Sequence, residues 1–180
     1  MLVAQDKRRK NIAEYVLYMW QIEDTLRAFK FDINLIEERI ISQFKQSEKV
    51  QEDIKDWYVN LILAMQQEGI QEKGHLKIVM GTTDELNQLH LRLINELKEE
   101  KYLEAYNKAS ESIKAFKLKL QQPDMNEIEI CFHALYGLLM LRLKKQKVSS
   151  ETSKAMESFS NLLAHLSAHY KNIEEGKAEF

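Results

Sequence analysis

The chain has 180 residues, of which 44% are hydrophobic and 30% charged, and its formal net charge is −2. That composition belongs to a single globular domain able to bury a sizeable core, and it excludes a disordered chain. Basic and acidic side chains nearly balance, at 26 against 28, so no overall field draws in a phosphate polymer.

One proline, Pro123, and five glycines leave long stretches free to stay helical. In a helix interior Gly costs roughly 1 kcal/mol and Pro about 3 relative to Ala. The lone Cys131 cannot close an intramolecular disulfide, and its neighbours Ile130 and Phe132 mark it as a small core residue of a reducing, cytoplasmic interior. The basic cluster Lys7 to Lys10 is followed by a segment broken by Glu14, Gln21, Glu23 and Asp24, without a small-residue cleavage site, so no export signal is expected.

Residues 1–10 read as a basic tail ahead of seven helices. Ile12, Tyr15, Val16, Met19, Ile22, Leu26 and Phe29 recur with the 3.6-residue period of an amphipathic helix, with Asn11 and Glu14 spaced as a capping box. A second helix opens at Asp32 and carries Ile33, Ile36, Ile40 and Phe44 inward. A third starts at Ser47 and runs through Val50, Ile54, Trp57, Leu61 and Met65 to Gly69. In the fourth, Leu76, Val79, Thr83, Leu86, His90, Leu93 and Leu97 form a heptad seam that keeps its phase across Gly81, Thr82 and Thr83, so one continuous helix is expected.

The stripe lapses from Lys98 to Lys101, where a turn is placed. A fifth helix carries Leu103, Tyr106, Ser110, Ile113, Phe116 and Leu120, and Pro123 ends it. Asp124 and Glu127 are spaced as a capping box for the sixth. The seventh begins at Ser149 or Ser150, carries Met156, Phe159, Leu162, Leu166, His169 and Ile173, and stops before Gly176, leaving 175–180 to fray.

The sixth helix is apolar around nearly its whole circumference from Ile130 to Leu143. It contains His133 and Arg142 and is too short for a bilayer crossing, which needs about 20 apolar residues. The expected architecture is therefore an all-α, single-domain helical bundle with this segment as its covered centre. Gly137 would admit a close neighbour, and part of the helix could serve a homodimer. Arg142 should reach solvent at the helix end, ahead of Lys144, Lys145 and Lys147.

Chemical signatures are sparse. A ferritin-like metal pair needs two Glu-x-x-His motifs, and only Glu72 to His75 fits, with Gly74 inside it. His165 and His169 could share one face but lack a third ligand. No metal or cofactor is expected, and no catalytic residue is assigned. There is no Gly-rich phosphate loop, no GxSxG elbow and no zinc-type cysteine spacing, and the two basic clusters sit outside any helix-turn-helix frame, which argues against nucleic acid.

The first helix is densest in aromatic and charged residues. Leu17, Tyr18 and Trp20 lie off its main stripe, to be covered by other helices or presented to a partner. Glu23 and Asp24 point about 100° apart, so solvation or pairing to Arg27 is the simpler account. Two functional readings follow. The first is a non-catalytic helical protein that associates with itself or another protein through exposed parts of the first, fourth or sixth helix. The alternative is a small-molecule binder or enzyme with a core pocket lined by Trp20, Glu23, His133 and Tyr136.

Two segments carry a resemblance: Asn11-Ile-Ala-Glu-Tyr-Val-Leu-Tyr-Met-Trp-Gln-Ile-Glu-Asp24 and Ser150-Glu-Thr-Ser-Lys-Ala-Met-Glu-Ser-Phe-Ser-Asn-Leu-Leu163. Together they resemble a family of uncharacterised all-helical proteins of about this length from Bacteroidetes, over essentially the full chain. The resemblance implies a bacterial cytoplasmic protein and transfers no activity.

Overall fold

The computed structural model describes residues 2–178, and these form eight α-helices and a 3-10 turn, with no strand among the described residues. The helices are α1 (Leu2–Lys10), α2 (Ile12–Ala28), α3 (Ile33–Arg39), α4 (Glu48–Gln67), α5 (Lys77–Asn95), α6 (Glu100–Leu120), α7 (Glu127–Leu143) and α8 (Ser150–Glu174), with the 3-10 turn at Ile41–Gln43. The segment expected as a basic tail is thus a helix of its own, packed on α2 and burying Ala4. Its cations are held locally, with Arg9 and Lys10 both paired to Asp6 at 3.2 and 2.8 Å.

Local chemistry fixes most boundaries. The Asn11 side chain accepts from the N–H groups of Ala13 and Glu14, and Asp32 does the same for Asn34 and Leu35. Ser47 occupies the N-cap position of α4 without a side-chain bond. α5 runs unbroken through Gly81, and Thr82 and Thr83 donate their hydroxyls back to the Ile78 and Val79 carbonyls. The turn between α5 and α6 contains Lys98 at φ 48°, and Glu99 caps α6 by accepting from the Tyr102 N–H. α7 is capped by Asn126, which accepts from the Glu129 N–H at 2.8 Å, and not by Asp124 as the spacing predicts. Ser149 caps α8 through the Thr152 N–H.

α7 and α8 pack against each other, and both pack against α2, α5 and α6. Trp20, Leu26, Tyr102, Phe132, Phe159 and Leu166 lie fully buried among them. α4 joins through α3 and the 3-10 turn and buries Ile54, Tyr58, Ile62 and Met65. The off-stripe residues of α2 are covered: Trp20 is fully buried, and Leu17 and Tyr18 are half-buried against the core.

The expectation that α7 is covered on every side holds for only part of its length. Ile128, Ile130, Cys131, Phe132 and Ala134 are buried, whereas Leu135, Leu139, Met140 and Leu141 are half-buried and Gly137 and Leu143 exposed. α8, an amphipathic helix, shares the middle of the fold with it. Arg142 is exposed, as its position near the helix end predicts. No helix among the described residues is long and apolar enough to cross a membrane.

The C-terminal segment begins with an ordered turn: Gly176 adopts φ 67°, and the Gly176 and Lys177 N–H groups reach back to the Ile173 and Asn172 carbonyls. The last two residues of the segment expected to fray lie outside the described residues.

Candidate functional site

Trp20, Glu23, Asp24 and Arg27 follow steps of three and four along α2 and so share one face. Opposite them stand His75, just before α5, and Phe132, His133 and Tyr136 of α7. The Trp20 indole stacks on the His75 ring at 4.0 Å between centroids, with 10° between the planes. His133 tilts against the same indole at 4.8 Å, and Tyr136 meets it edge-on at 5.6 Å. The structure therefore brings together all four residues expected to line a pocket. The rings pack directly on one another, and the larger cavities are lined by other residues.

Glu23 departs from its sequence reading. Its side chain is fully buried and pairs with His75. One oxygen accepts the Leu76 N–H at 3.0 Å, and the other lies 2.6 Å from His75 Nδ1. Asp24 does pair with Arg27, at 2.8 Å, and its second oxygen accepts the Tyr136 hydroxyl at 2.6 Å. Arg27 also donates to the Ile70 carbonyl at 3.1 Å and to that of Gly74. Glu23 and Arg27 thus fasten the connection between α4 and α5 onto α2, and Asp24 ties Arg27 to Tyr136 of α7.

The electrostatics follow from burial. Desolvation, reinforced by the neighbouring His75, holds His133 below the usual imidazole range. Burial pushes the Tyr136 phenol up, and the Asp24 carboxylate that accepts its hydrogen bond adds to the shift. Glu129, 3.9 Å from His133, is raised by burial and by Asp84. Two buried donors, Trp20 Nε1 and Arg27 Nε, have no hydrogen-bond partner among the described residues.

His75 is the member of this group that sequence reasoning missed. It enters the sequence argument only as the end of Glu72 to His75, whereas its real partner lies 52 positions away. A carboxylate bound to Nδ1 fixes the imidazole tautomer and ring plane, an arrangement that serves structure and acid–base chemistry alike.

A second polar group lies between α5, α6 and α7. His90, 1% exposed, places Nδ1 at 2.7 Å from the Tyr102 hydroxyl and Nε2 at 3.3 Å from Glu127. The Tyr106 hydroxyl donates to the other Glu127 oxygen at 3.4 Å. The His90 hydrogen bond holds the Glu127 carboxyl below the usual carboxylate range despite its partial burial. Burial pushes the Tyr102 phenol and the Cys131 thiol up, which leaves the thiol protonated and unreactive. His169 lies 3.7 Å from Glu99, at the edge of this group. No set of three or more His, Cys, Asp or Glu side chains among the described residues is arranged to hold a metal.

Fold and site together define an all-helical domain whose buried polar groups connect one helix to another. The chain belongs to the family described as "Domain of unknown function (DUF4924)", whose model matches residues 1–177. Neither the curated proteins nor the solved structures yield a match.

Proposed function

We propose that this is a non-catalytic, cytoplasmic bacterial protein that acts by associating with a second copy of itself or with another protein. The observation that carries the reading is the incompletely covered second half of α7. There Leu139, Met140 and Leu141 are only half-buried, and Leu143 is 60% exposed. Apolar side chains left partly exposed along a helix are what a protein interface covers. The polar side chains of the two groups described above support the same reading, because Glu23, Asp24, Arg27, Glu127 and His90 already hold partners within the fold. The buried thiol of Cys131 fits a reducing compartment. Light scattering across the micromolar range tests self-association: a mass above the 21.3 kDa of one chain is expected, and a strict monomer overturns it.

The second reading, a small-molecule binder, is favoured by the unpartnered Trp20 Nε1 amid His75, His133 and Tyr136. A ligand there would have to part the stacked rings. Quenching of tryptophan fluorescence by a bound metabolite, lost in His133→Ala, would support it; an unchanged spectrum across a metabolite panel counts against it.

A further inference from the structure

A groove of about 860 Å³ lies between α6, α7 and α8. Leu135 and Leu138 share the stripe of α7 that lines it, and buried Met156 of α8 completes an apolar floor. The rim is cationic. Lys108, Arg142 and Lys154 stand around the floor against a single acidic side chain, Glu157. None of the three cations is ion-paired with a described residue, although Lys7, Arg9, Lys10, Arg27 and Lys55 all are. Three uncompensated cations over an apolar floor complement a ligand that is apolar on one side and acidic beside it.

The shape selects a rod. α8 borders the groove from Ser153 to Ala164, about 16 Å at 1.5 Å per residue, or three helical turns. Ser160 and Ala164 on that wall are small and exposed, so another backbone can come close. The open side suits a helix laid into the groove, whereas an acyl chain would need enclosure.

We propose that this groove docks an amphipathic helix of a partner protein, with an apolar ridge against Leu135, Leu138 and Met156 and carboxylates against Lys108, Arg142 and Lys154. Met140 and Leu143 lie on other stripes of α7, whereas Leu139 falls one turn from Leu135, which lines the groove, so the two surfaces adjoin; the groove does not depend on the self-association proposed above.

Two fluorescent synthetic helices test it, each with leucines at i, i+4 and i+7, one flanked by glutamates and the other by lysines. In anisotropy titrations with the full chain, the acidic peptide should bind about tenfold tighter than the basic one and weaken with added salt. The double variant Arg142→Glu, Lys154→Glu changes exposed positions, so its thermal melt should stay as in the parent while the acidic peptide loses about tenfold in affinity. Equal affinity for both peptides, no binding of either, or displacement of the acidic peptide by laurate overturns the proposal. So does a double variant that loses self-association, because the groove would then be the contact between copies.

Discussion

The Glu23 carboxylate reaches His75 across 52 positions of chain and lies 2.6 Å from its Nδ1, while its other oxygen holds the Leu76 N–H at 3.0 Å. With Glu23 fully buried, removing one partner strands the other in a medium that solvates it poorly. Glu23→Ala should therefore cost about 3 kcal/mol in urea unfolding, near the low end for breaking a buried pair. Glu23→Gln keeps an acceptor for Leu76 and should cost less. A loss below about 0.5 kcal/mol for Glu23→Ala, the range of ordinary surface changes, would show that the contact does not fasten α5 to α2.

Two carboxylates near the start of α7 should respond oppositely to pH. Glu127 is shifted down by its bond to His90, so its contribution is present above the ordinary value of 4.5 and fades as pH falls below it through the folded-state value. Glu129 is shifted up by burial and Asp84, so its ionisation opposes folding as pH rises above 4.5. At pH 7, Glu127→Gln should destabilise and Glu129→Gln should stabilise, and both differences should shrink on acidification. Urea midpoints at pH 7 and pH 4 check this; parallel behaviour of the two variants contradicts it.

His133 adds a third pH signal. Burial holds it below the ordinary 6.5, so the folded protein binds its proton less readily than the unfolded chain and stability falls as pH drops below 6.5. His133→Gln should flatten that part of the stability curve between pH 7 and pH 5. A curve of unchanged slope there would assign the effect to other groups.

What was legible in the sequence was whatever periodicity and local chemistry encode. The stripe on α5 kept its phase through Gly81 to Thr83, and the helix is continuous, with its apolar stripe buried and both threonine hydroxyls bonded to carbonyls one turn back. The lapse after Leu97 marked a real turn, although Lys98 adopts its positive φ without a glycine to announce it. Spacing failed where two polar residues competed for one role: Asp124 and Asn126 both precede α7, and only the side chain of Asn126 accepts an N–H of its first turn. The pairing of Glu23 with His75 left no sequence trace, because it depends on how α2 and α5 pack. The approach of Trp20, Glu23, His133 and Tyr136 was inferable only as a clustering of unusual residues on two apolar helices.

Core and surface apolar residues should separate cleanly in their cost. Phe159 is fully buried and meets Phe116 edge-on at 6.3 Å, so Phe159→Ala removes a ring from the centre of the α6, α8 packing and should cost about 3–5 kcal/mol. Leu118 is 81% exposed, so Leu118→Ser should stay within about 0.5 kcal/mol of the parent. A large loss at Leu118 in the isolated chain would mean that its surface is covered by a second copy under the conditions of the measurement.

The end of α7 offers a stabilising change. The Lys145 and Gln146 N–H groups bond back to the Arg142 and Leu141 carbonyls, the same closure that Gly69 and Gly176 make after α4 and α8, but here the left-handed position is held by a lysine at φ 54°. A side chain in that conformation costs roughly 1–2 kcal/mol that glycine avoids. Lys145 is exposed and no ion pair is lost with it, so the opposing terms are the greater chain entropy of glycine when unfolded and the weaker favourable field at the helix C-terminus, each below about 1 kcal/mol. Lys145→Gly should therefore raise stability by about 0.5 kcal/mol, read as a higher urea midpoint at unchanged slope, whereas Lys145→Ala should leave the strain in place and gain nothing. Equal effects of glycine and alanine would show that the turn is not strained at this position.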